Sequence, residues 1–162
     1  MLTVLHASDL QCGRPFLSYA ADALVLLAQQ ATPDVIVLSG DLTQRAKDSE
    51  FRVAQALMER LPSVPIVVTP GNHDVPLYRV WERLATPFRN WQRVISRELD
   101  SVTSLPGGTF VALNSAAPRR AIVNGRLDQH PIEFAQREFN NAPPSNVRAL
   151  VVHHHFAPTT DG

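Results

Sequence analysis

The sequence predicts an α/β fold in which a mainly parallel β-sheet is flanked by helices. Short apolar runs alternate with helical segments along the first half of the chain, and this order implies right-handed crossovers between parallel strands. The apolar runs also lack the polar–apolar alternation of a half-exposed strand, which indicates a sheet buried on both faces. The 162 residues are enough for one domain with its own core, and we assign residues 1–162 to that domain.

Five apolar runs are the predicted strands of this sheet. They cover residues 2–7, 35–38, 65–69, 110–114 and 149–152. Residues 118–125 and 140–146 are rich in loop-forming residues and are expected to lie at the surface. The run at the end of the chain continues directly into three histidines.

Three segments are predicted to be regular helices. They cover residues 20–30, 49–61 and 128–140. For the second of these, Asp48 or Ser49 is the expected N-cap, and Pro62 lies just past its end. Residues 77–98 are mixed in character, and we expect helical structure on either side of Pro87, which interrupts the segment.

Charge and cysteine content restrict the classes of partner and compartment. Fifteen basic residues balance fifteen acidic ones, which does not favour electrostatic capture of nucleic acid or of an anionic membrane. Cys12 is the single cysteine, so no intrachain disulfide can form. Residues 1–6 do not have the pattern of a signal peptide, and no apolar run approaches the ~20 residues that span a bilayer. We expect a cytoplasmic protein that acts away from membranes.

Four predicted strands are followed by side chains that can bind a metal ion: Asp9, Asp41, Asn72 and His153. Because ligands bind at the carboxyl ends of parallel strands, these side chains are expected at one rim of the sheet. Carboxylate oxygen, amide oxygen and imidazole together suit Mn²⁺, Fe or Zn²⁺. Two carboxylates without a thiolate argue against a structural zinc site, and Cys12 near the rim is interpreted as incidental.

Each motif also has a simpler interpretation. An aspartate after a strand is commonly a turn or a helix cap, and a histidine run can lie in a surface loop. The pair Pro70–Gly71 makes a turn, but a turn does not require the Asn-His-Asp sequence that follows it. The occurrence of all the motifs at successive strand ends favours the metal site over four unrelated turns.

The motifs resemble those of the calcineurin-like metallophosphoesterase superfamily, and most closely the bacterial class III cyclic-nucleotide phosphodiesterases. The resemblance is carried by Ser8-Asp9-Leu10-Gln11, Ser39-Gly40-Asp41-Leu42-Thr43, Pro70-Gly71-Asn72-His73-Asp74, Gly125-Arg126-Leu127-Asp128 and Val152-His153-His154. It covers nearly the whole chain, and the Gly-Asn-His-Asp block is its most specific part. It implies the α/β sandwich of metallophosphoesterases.

The resemblance also implies two divalent metal ions, Mn, Fe or Zn. Asp9 and Gln11 would bind the first ion, Asp41 would bridge both, and Asn72 and His153 would bind the second. If the register of the histidine run differs by one residue, His154 takes the place of His153. A hydroxide bridging the two ions would then attack phosphorus in line with the departing oxygen.

Three consecutive residues are expected to serve the reaction. Asn72 would also contact the substrate phosphate, and His73 would stand beside the leaving oxygen as general acid or transition-state stabiliser. Asp74 either orients His73 or is a simple turn residue. The implied function is phosphate ester hydrolysis, with a phosphodiesterase acting on cyclic nucleotides or related small-molecule nucleotides as the leading form.

Two departures from the family pattern support an alternative. Gln11 stands where the family usually has histidine, and its amide oxygen is a weaker donor; certain manganese-dependent nucleotide diphosphatases resemble this pattern. The chain also reaches Gly162 before the family's Gly-His-x-His motif, so we expect the C-terminal part of the fold to be missing, activity to be weak, and a homodimer to cover exposed apolar surface. The alternative is a non-catalytic scaffold on the same fold with a degraded metal site.

Overall fold

The computed structural model describes residues 1–120 and 124–155. Within these ranges the chain forms six strands and five helices. In chain order they are β1 (Val4–Ala7), α1 (Ser18–Ala31), β2 (Val35–Ser39), α2 (Asp48–Met58), β3 (Ile66–Thr69), α3 (Val80–Ala85), α4 (Arg89–Val94), β4 (Ser101–Leu105), β5 (Gly108–Ala112), α5 (Gln129–Asn141) and β6 (Val147–Val151). No helix in the described part of the chain is long and apolar enough to cross a membrane.

The strands form two sheets of three strands each. The first has the order β1-β2-β3 and is entirely parallel. The second has the order β4-β5-β6, with β4 antiparallel to β5 and β5 parallel to β6. The predicted α/β class with mainly parallel strands is confirmed, but the strands are divided between two sheets instead of forming one.

The two sheets pack face to face, and the central strands show how. In β2, Val35 and Val37 point into the cluster between the sheets, whereas Ile36 and Leu38 point toward the helices. Strand β5 has the same arrangement, with Phe110 on the inner face. Both strands are buried along their full length, as their continuous apolar sequences predicted.

Helices cover the outer face of each sheet. Residues of α1, α2 and α4 pack on the first sheet, where the Phe51 and Trp91 rings meet edge to face at 6.1 Å between centroids. Helix α5 packs on the second sheet through Ala135, which lies against Val111 and Leu113. The result is a layered sandwich whose strand ends are open to solvent at one rim.

Several elements differ from their predicted bounds. Strand β4 was not predicted, because Ser101, Thr103 and Ser104 make it polar and its pairing with β5 in a hairpin is what stabilises it. Helix α2 begins at Asp48 with Lys47 as its N-cap residue, and neither Asp48 nor Ser49 is the cap. The strands predicted at 2–7, 110–114 and 149–152 are shifted to the bounds given above. Of the predicted loop 118–125, residues 121–123 lie outside the described residues.

Candidate metal centre

Four loops meet at the carboxyl ends of the strands. Asp9 follows β1, Asp41 follows β2, Asn72 follows β3 and His153 follows β6. At this end the two sheets are joined by a hydrogen bond, because the Thr69 hydroxyl donates to the Leu113 carbonyl at 2.7 Å. The rim therefore receives three side chains from the first sheet and one from the second.

The side chains converge on one point. One potential ligand atom from each of Asp9, Asp41 and His153 lies within 4.8 Å of the others. The His153 Nε2 atom is 3.5 Å from Asp41 Oδ2 and 3.2 Å from Asn72 Oδ1. Carboxylate, amide and imidazole donors gathered this closely fit a divalent metal ion. These residues could therefore hold one.

The histidine run is placed in an unambiguous register. His153 faces the Asp9–Asp41 cluster, whereas the His154 Nδ1 atom lies 2.8 Å from the Ser115 hydroxyl on the side of β5. Burial lowers the pKa of His154, so its ring is neutral at physiological pH. Of the two candidates, the structure brings His153 to the centre.

The loops that carry the ligands have strained backbones. Asp9, Gln11 and Asp41 have φ values of 56°, 43° and 53°, in the left-handed region that costs a non-glycine residue about 1–2 kcal/mol. The strain is held by backbone contacts, since the Gln11 N–H donates to the Asp41 carbonyl at 2.9 Å and the Asp9 N–H donates to the Gly40 carbonyl at 3.1 Å. Such strain is concentrated at functional sites.

Two glycines allow the ligands to approach the backbone. Gly71 packs directly on the Asp41 carboxylate, and a Cβ atom at position 71 would overlap it. Gly40 has φ +89°, and a Cβ atom there would lie 2.6 Å from His153 Nδ1. Only glycine satisfies both positions without moving a ligand.

The protonation of His153 follows from its neighbours. Its Nδ1 atom lies 2.9 Å from the Ser39 carbonyl oxygen, which places a hydrogen on Nδ1 and directs Nε2 toward Asp41. The hydrogen bond with Asp41 raises the pKa of His153 to about 9, although burial opposes this. Without a metal ion, the imidazolium supplies the positive charge that compensates the buried Asp41 carboxylate.

His73 is held by hydrogen bonds on both sides. Its backbone N–H donates to Asp41 Oδ1 at 2.8 Å, and its ring Nδ1 lies 2.8 Å from the Gln44 carbonyl oxygen. The other ring nitrogen, Nε2, is 4.0 Å from Asp41 Oδ2, and the side chain is 31% exposed. The ring is thus oriented with Nε2 at the edge of the centre, where solvent and a ligand can reach it.

Asp74 connects two loops instead of contacting the His73 ring. Its carboxylate is buried and accepts hydrogen bonds from the N–H groups of Leu42, Thr43 and Gly71 at 3.1, 2.9 and 3.0 Å. The Thr43 hydroxyl donates to it as well. Burial raises the pKa of Asp74 to about 6, which still leaves it ionised at pH 7. The loop after β2 is thereby fastened to the loop after β3.

Sequence patterns did not reveal the residues that support the ligands. Ser39 and Gln44 act through carbonyl oxygens, which no side-chain motif reports, and Ser115 contacts His154 across 39 positions of the chain. Cys12 is fully buried, and burial raises the pKa of its thiol to about 12.

The layered α/β sandwich is the fold class of metallophosphoesterases, and Asp9, Asp41 and His153 form a group at its rim that could hold a metal ion. Residues 2–162 match the model of the calcineurin-like phosphoesterase family, and the chain belongs to that family. A probable cyclic nucleotide phosphodiesterase of Synechococcus sp. is 28% identical over 131 residues, which are 78% of this chain and 44% of that protein. The chain therefore spans less than half the length of this curated relative.

Two solved structures share the fold. A purple acid phosphatase from yellow lupin (Lupinus luteus) seeds superposes with a TM-score of 0.69 at 13% identity, over 94% of this chain and 30% of that one. The protein TT1561 of Thermus thermophilus superposes with a TM-score of 0.57 at 18% identity, over 100% of this chain and 71% of that one. At these identities the likeness establishes the fold alone.

Proposed function

We propose that this protein hydrolyses phosphate esters with the help of divalent metal ions, and that cyclic nucleotides or related nucleotides are its substrates. The observation that carries the proposal is the convergence of Asp9, Asp41 and His153 within 4.8 Å at the rim of the sheets. Membership of the calcineurin-like phosphoesterase family supports the reaction class. The cyanobacterial relative, through the substrate in its name, supports the nucleotide preference.

Asp9, Asp41, Asn72 and His153 are assigned as metal ligands, and Gln11 completes the set through its amide oxygen. Mn²⁺, Fe and Zn²⁺ all suit oxygen and imidazole donors. Bound divalent ions supply positive charge that neutralises a phosphate group and makes water a stronger nucleophile at neutral pH. The left-handed backbone at the carboxylates keeps these donors preorganised before any ion binds.

Asn72 and His73 act on the substrate in this proposal. Asn72 Oδ1 faces His153, so its amide N–H₂ group is available to donate to a phosphate oxygen. When His73 is protonated at Nε2, it can donate that proton to the departing ester oxygen, and its fixed Nδ1 contact keeps the ring in position. Asp74 is a positioning residue that acts through the two loops it fastens together.

The test is hydrolysis of bis(p-nitrophenyl) phosphate in the presence of Mn²⁺. We expect Asn72→Ala and His73→Ala each to lower kcat by about 100-fold or more, because each removes a group that stabilises the transition state. His130→Ala, an exposed histidine in α5, is the matched control and should hydrolyse the diester like the wild type. Wild-type rates in either site variant would contradict the assigned roles.

Gln11 favours a second candidate, a non-catalytic scaffold on the same fold, because a neutral amide is a weaker metal ligand than imidazole. The two candidates differ in metal content. We expect purified protein dialysed against Mn²⁺ to retain metal by elemental analysis and to turn over the diester. A protein that retains no metal and shows no turnover is the scaffold.

A further inference from the structure

A cleft of about 500 Å³ lies between the loop that follows Gln11 and the loop that leads into α2. Its polar and charged lining includes Arg14, Arg45, Lys47 and Ser49, and we call it the basic cleft. The sequence motifs and the proposed reaction use none of these residues.

The basic cleft is built from continuations of the loops that carry Gln11 and Gln44. Its first wall begins at Cys12, directly after Gln11 in the chain, and Cys12 forms a β-bridge with Thr43, two residues before Arg45 of the opposite wall. On that opposite wall, Arg45 follows Gln44, whose carbonyl oxygen accepts the hydrogen bond from the His73 ring at 2.8 Å. Both walls are therefore continuations of the loops that carry the ligands. Arg45 of the cleft is therefore one residue away from the group that orients the His73 ring.

The lining of the cleft carries more positive than negative charge, with three basic side chains and one carboxylate. Arg14, Arg45 and Lys47 are exposed, and among residues 1–120 and 124–155 none of the three forms an ion pair with a carboxylate. Glu50 also lines the cleft, but it is buried and accepts hydrogen bonds from the N–H groups of Arg45 and Lys47 at 2.8 and 3.3 Å. The whole chain has zero net charge, so these three basic side chains form a local concentration of positive charge. The single carboxylate among them already accepts hydrogen bonds from the backbone.

The wall that carries Arg45 is preorganised. The Arg45 carbonyl oxygen accepts a hydrogen bond from Arg79 Nη1 at 3.1 Å. The next carbonyl oxygen, that of Ala46, accepts hydrogen bonds from Arg79 Nη2 at 2.9 Å and from Asn90 Nδ2 at 3.0 Å. The Arg45 guanidinium lies over the Tyr78 ring, 5.5 Å from its centroid. Ser49, in the first turn of α2, adds a hydroxyl group to the lining of the cleft.

We propose that the basic cleft binds a second phosphate group of the substrate, so that the preferred substrates are nucleotides that carry an additional phosphate in the half that departs past His73. Arginine guanidinium groups pair with phosphate oxygens through two parallel hydrogen bonds, and a lysine adds a point charge. The identification of the departing half rests on the proposed function. The presence of an anion site in the cleft does not.

The experiment is isothermal titration calorimetry on the metal-free full chain in EDTA, with inorganic pyrophosphate and ADP as probes. We expect the wild type to bind both, and an Arg14→Gln/Arg45→Gln double variant to bind at least about tenfold more weakly, the factor expected for loss of one charged hydrogen bond. The matched control is Arg97→Gln/Arg137→Gln, which removes the same charge from exposed positions outside the cleft. Thermal unfolding of each variant verifies that it is folded.

The outcomes separate this inference from the proposed function. Loss of binding in the cleft variant but not in the control supports phosphate binding in the cleft. Tighter binding of ADP than of pyrophosphate would show that the site also contacts the nucleoside. Equal losses in the cleft and control variants, or no binding by the wild type, would overturn it. If the wild type does not hydrolyse bis(p-nitrophenyl) phosphate, the proposed reaction is wrong. The titration still decides whether the cleft binds phosphate.

Discussion

Gly71 decides how closely the Asp41 carboxylate can approach the loop after β3. With no side chain at position 71, the carboxylate lies against the backbone and accepts the N–H of His73 at 2.8 Å. The same contact places the second oxygen, Oδ2, toward His73 and His153. A single hydrogen atom in place of a methyl group therefore determines the position of the ligand expected to bridge the metal ions.

Gly71→Ala should weaken Mn²⁺ binding by about 10–100-fold, the range for disturbing the support of a metal ligand. Calorimetric titration with Mn²⁺ measures the affinity. Gly107→Ala is the control: its backbone is left-handed, φ +90°, so alanine is strained there, but the nearest atom to a Cβ at that position would be 3.8 Å away. The control should lose about 1 kcal/mol of stability and retain its metal affinity. Unchanged Mn²⁺ affinity in Gly71→Ala would show that Asp41 is not positioned in this way.

His153 makes metal binding depend on pH. Its pKa is raised to about 9 by the hydrogen bond with Asp41, so at neutral pH the ring is charged and must lose a proton before it can bind an ion. Mn²⁺ affinity should therefore rise with pH, by up to about tenfold per unit, and level off near pH 9. Titrations at about pH 7, 7.5 and 8, repeated in buffers of different ionisation enthalpy, measure the affinity and the proton released. His153→Gln should release no such proton, and a pH-independent wild type would contradict the prediction.

At the scale of elements, the loops after β2 and β3 depend on one buried carboxylate. Asp74 accepts hydrogen bonds from three backbone N–H groups and one hydroxyl, which link segments about 30 positions apart in the chain. None of these donors has access to bulk water, so the carboxylate is part of the structure of the rim. Its effect on activity is expected to come from holding the ligand loops together.

Asp74→Ala should lower the free energy of unfolding by about 3 kcal/mol or more, because it leaves buried N–H groups without partners. Urea denaturation monitored by tryptophan fluorescence measures this value. Asp34→Ala is the matched control: its carboxylate also accepts a backbone N–H, that of Thr3 at 2.7 Å, but the contact is exposed and should contribute about 1 kcal/mol or less. Similar decreases in the free energy of unfolding of the two variants would show that the buried Asp74 contacts contribute no more than an exposed one.

At the scale of the whole molecule, the candidate metal centre joins the two sheets. Asp9, Asp41 and Asn72 extend from the first sheet, and His153 extends from the second. The ring of His153 already contacts the first sheet through the Ser39 carbonyl. A metal ion held by both sets of ligands therefore opposes separation of the sheets and should stabilise the entire fold.

Mn²⁺ at about 100 times its dissociation constant should add about 2.7 kcal/mol of stability. For a chain of this length that corresponds to a rise in Tm of roughly 5–10 °C. Thermal unfolding followed by circular dichroism, with and without Mn²⁺, measures the shift. In His153→Gln the shift should be much smaller, because the link to the second sheet is lost. A wild type whose Tm does not respond to Mn²⁺ would contradict a shared metal centre.

The sequence by itself determined the α/β class, the order of most elements and the rim at which the candidate metal ligands lie. These features are local: continuous apolar runs form buried strands, and a residue directly after a parallel strand must lie at its carboxyl end. The polar strand β4 escaped prediction because it has no apolar signal of its own and forms only through its pairing with β5.

Only the tertiary structure decided which histidine reaches the centre, which group orients His73, and where positive charge gathers. His153 meets the Ser39 carbonyl across 114 positions of the chain, and His73 meets the Gln44 carbonyl across 29. The division of the strands into two sheets belongs to the same group of features. All of these depend on contacts between distant segments and on backbone carbonyls, which every residue type has and no sequence motif can therefore distinguish.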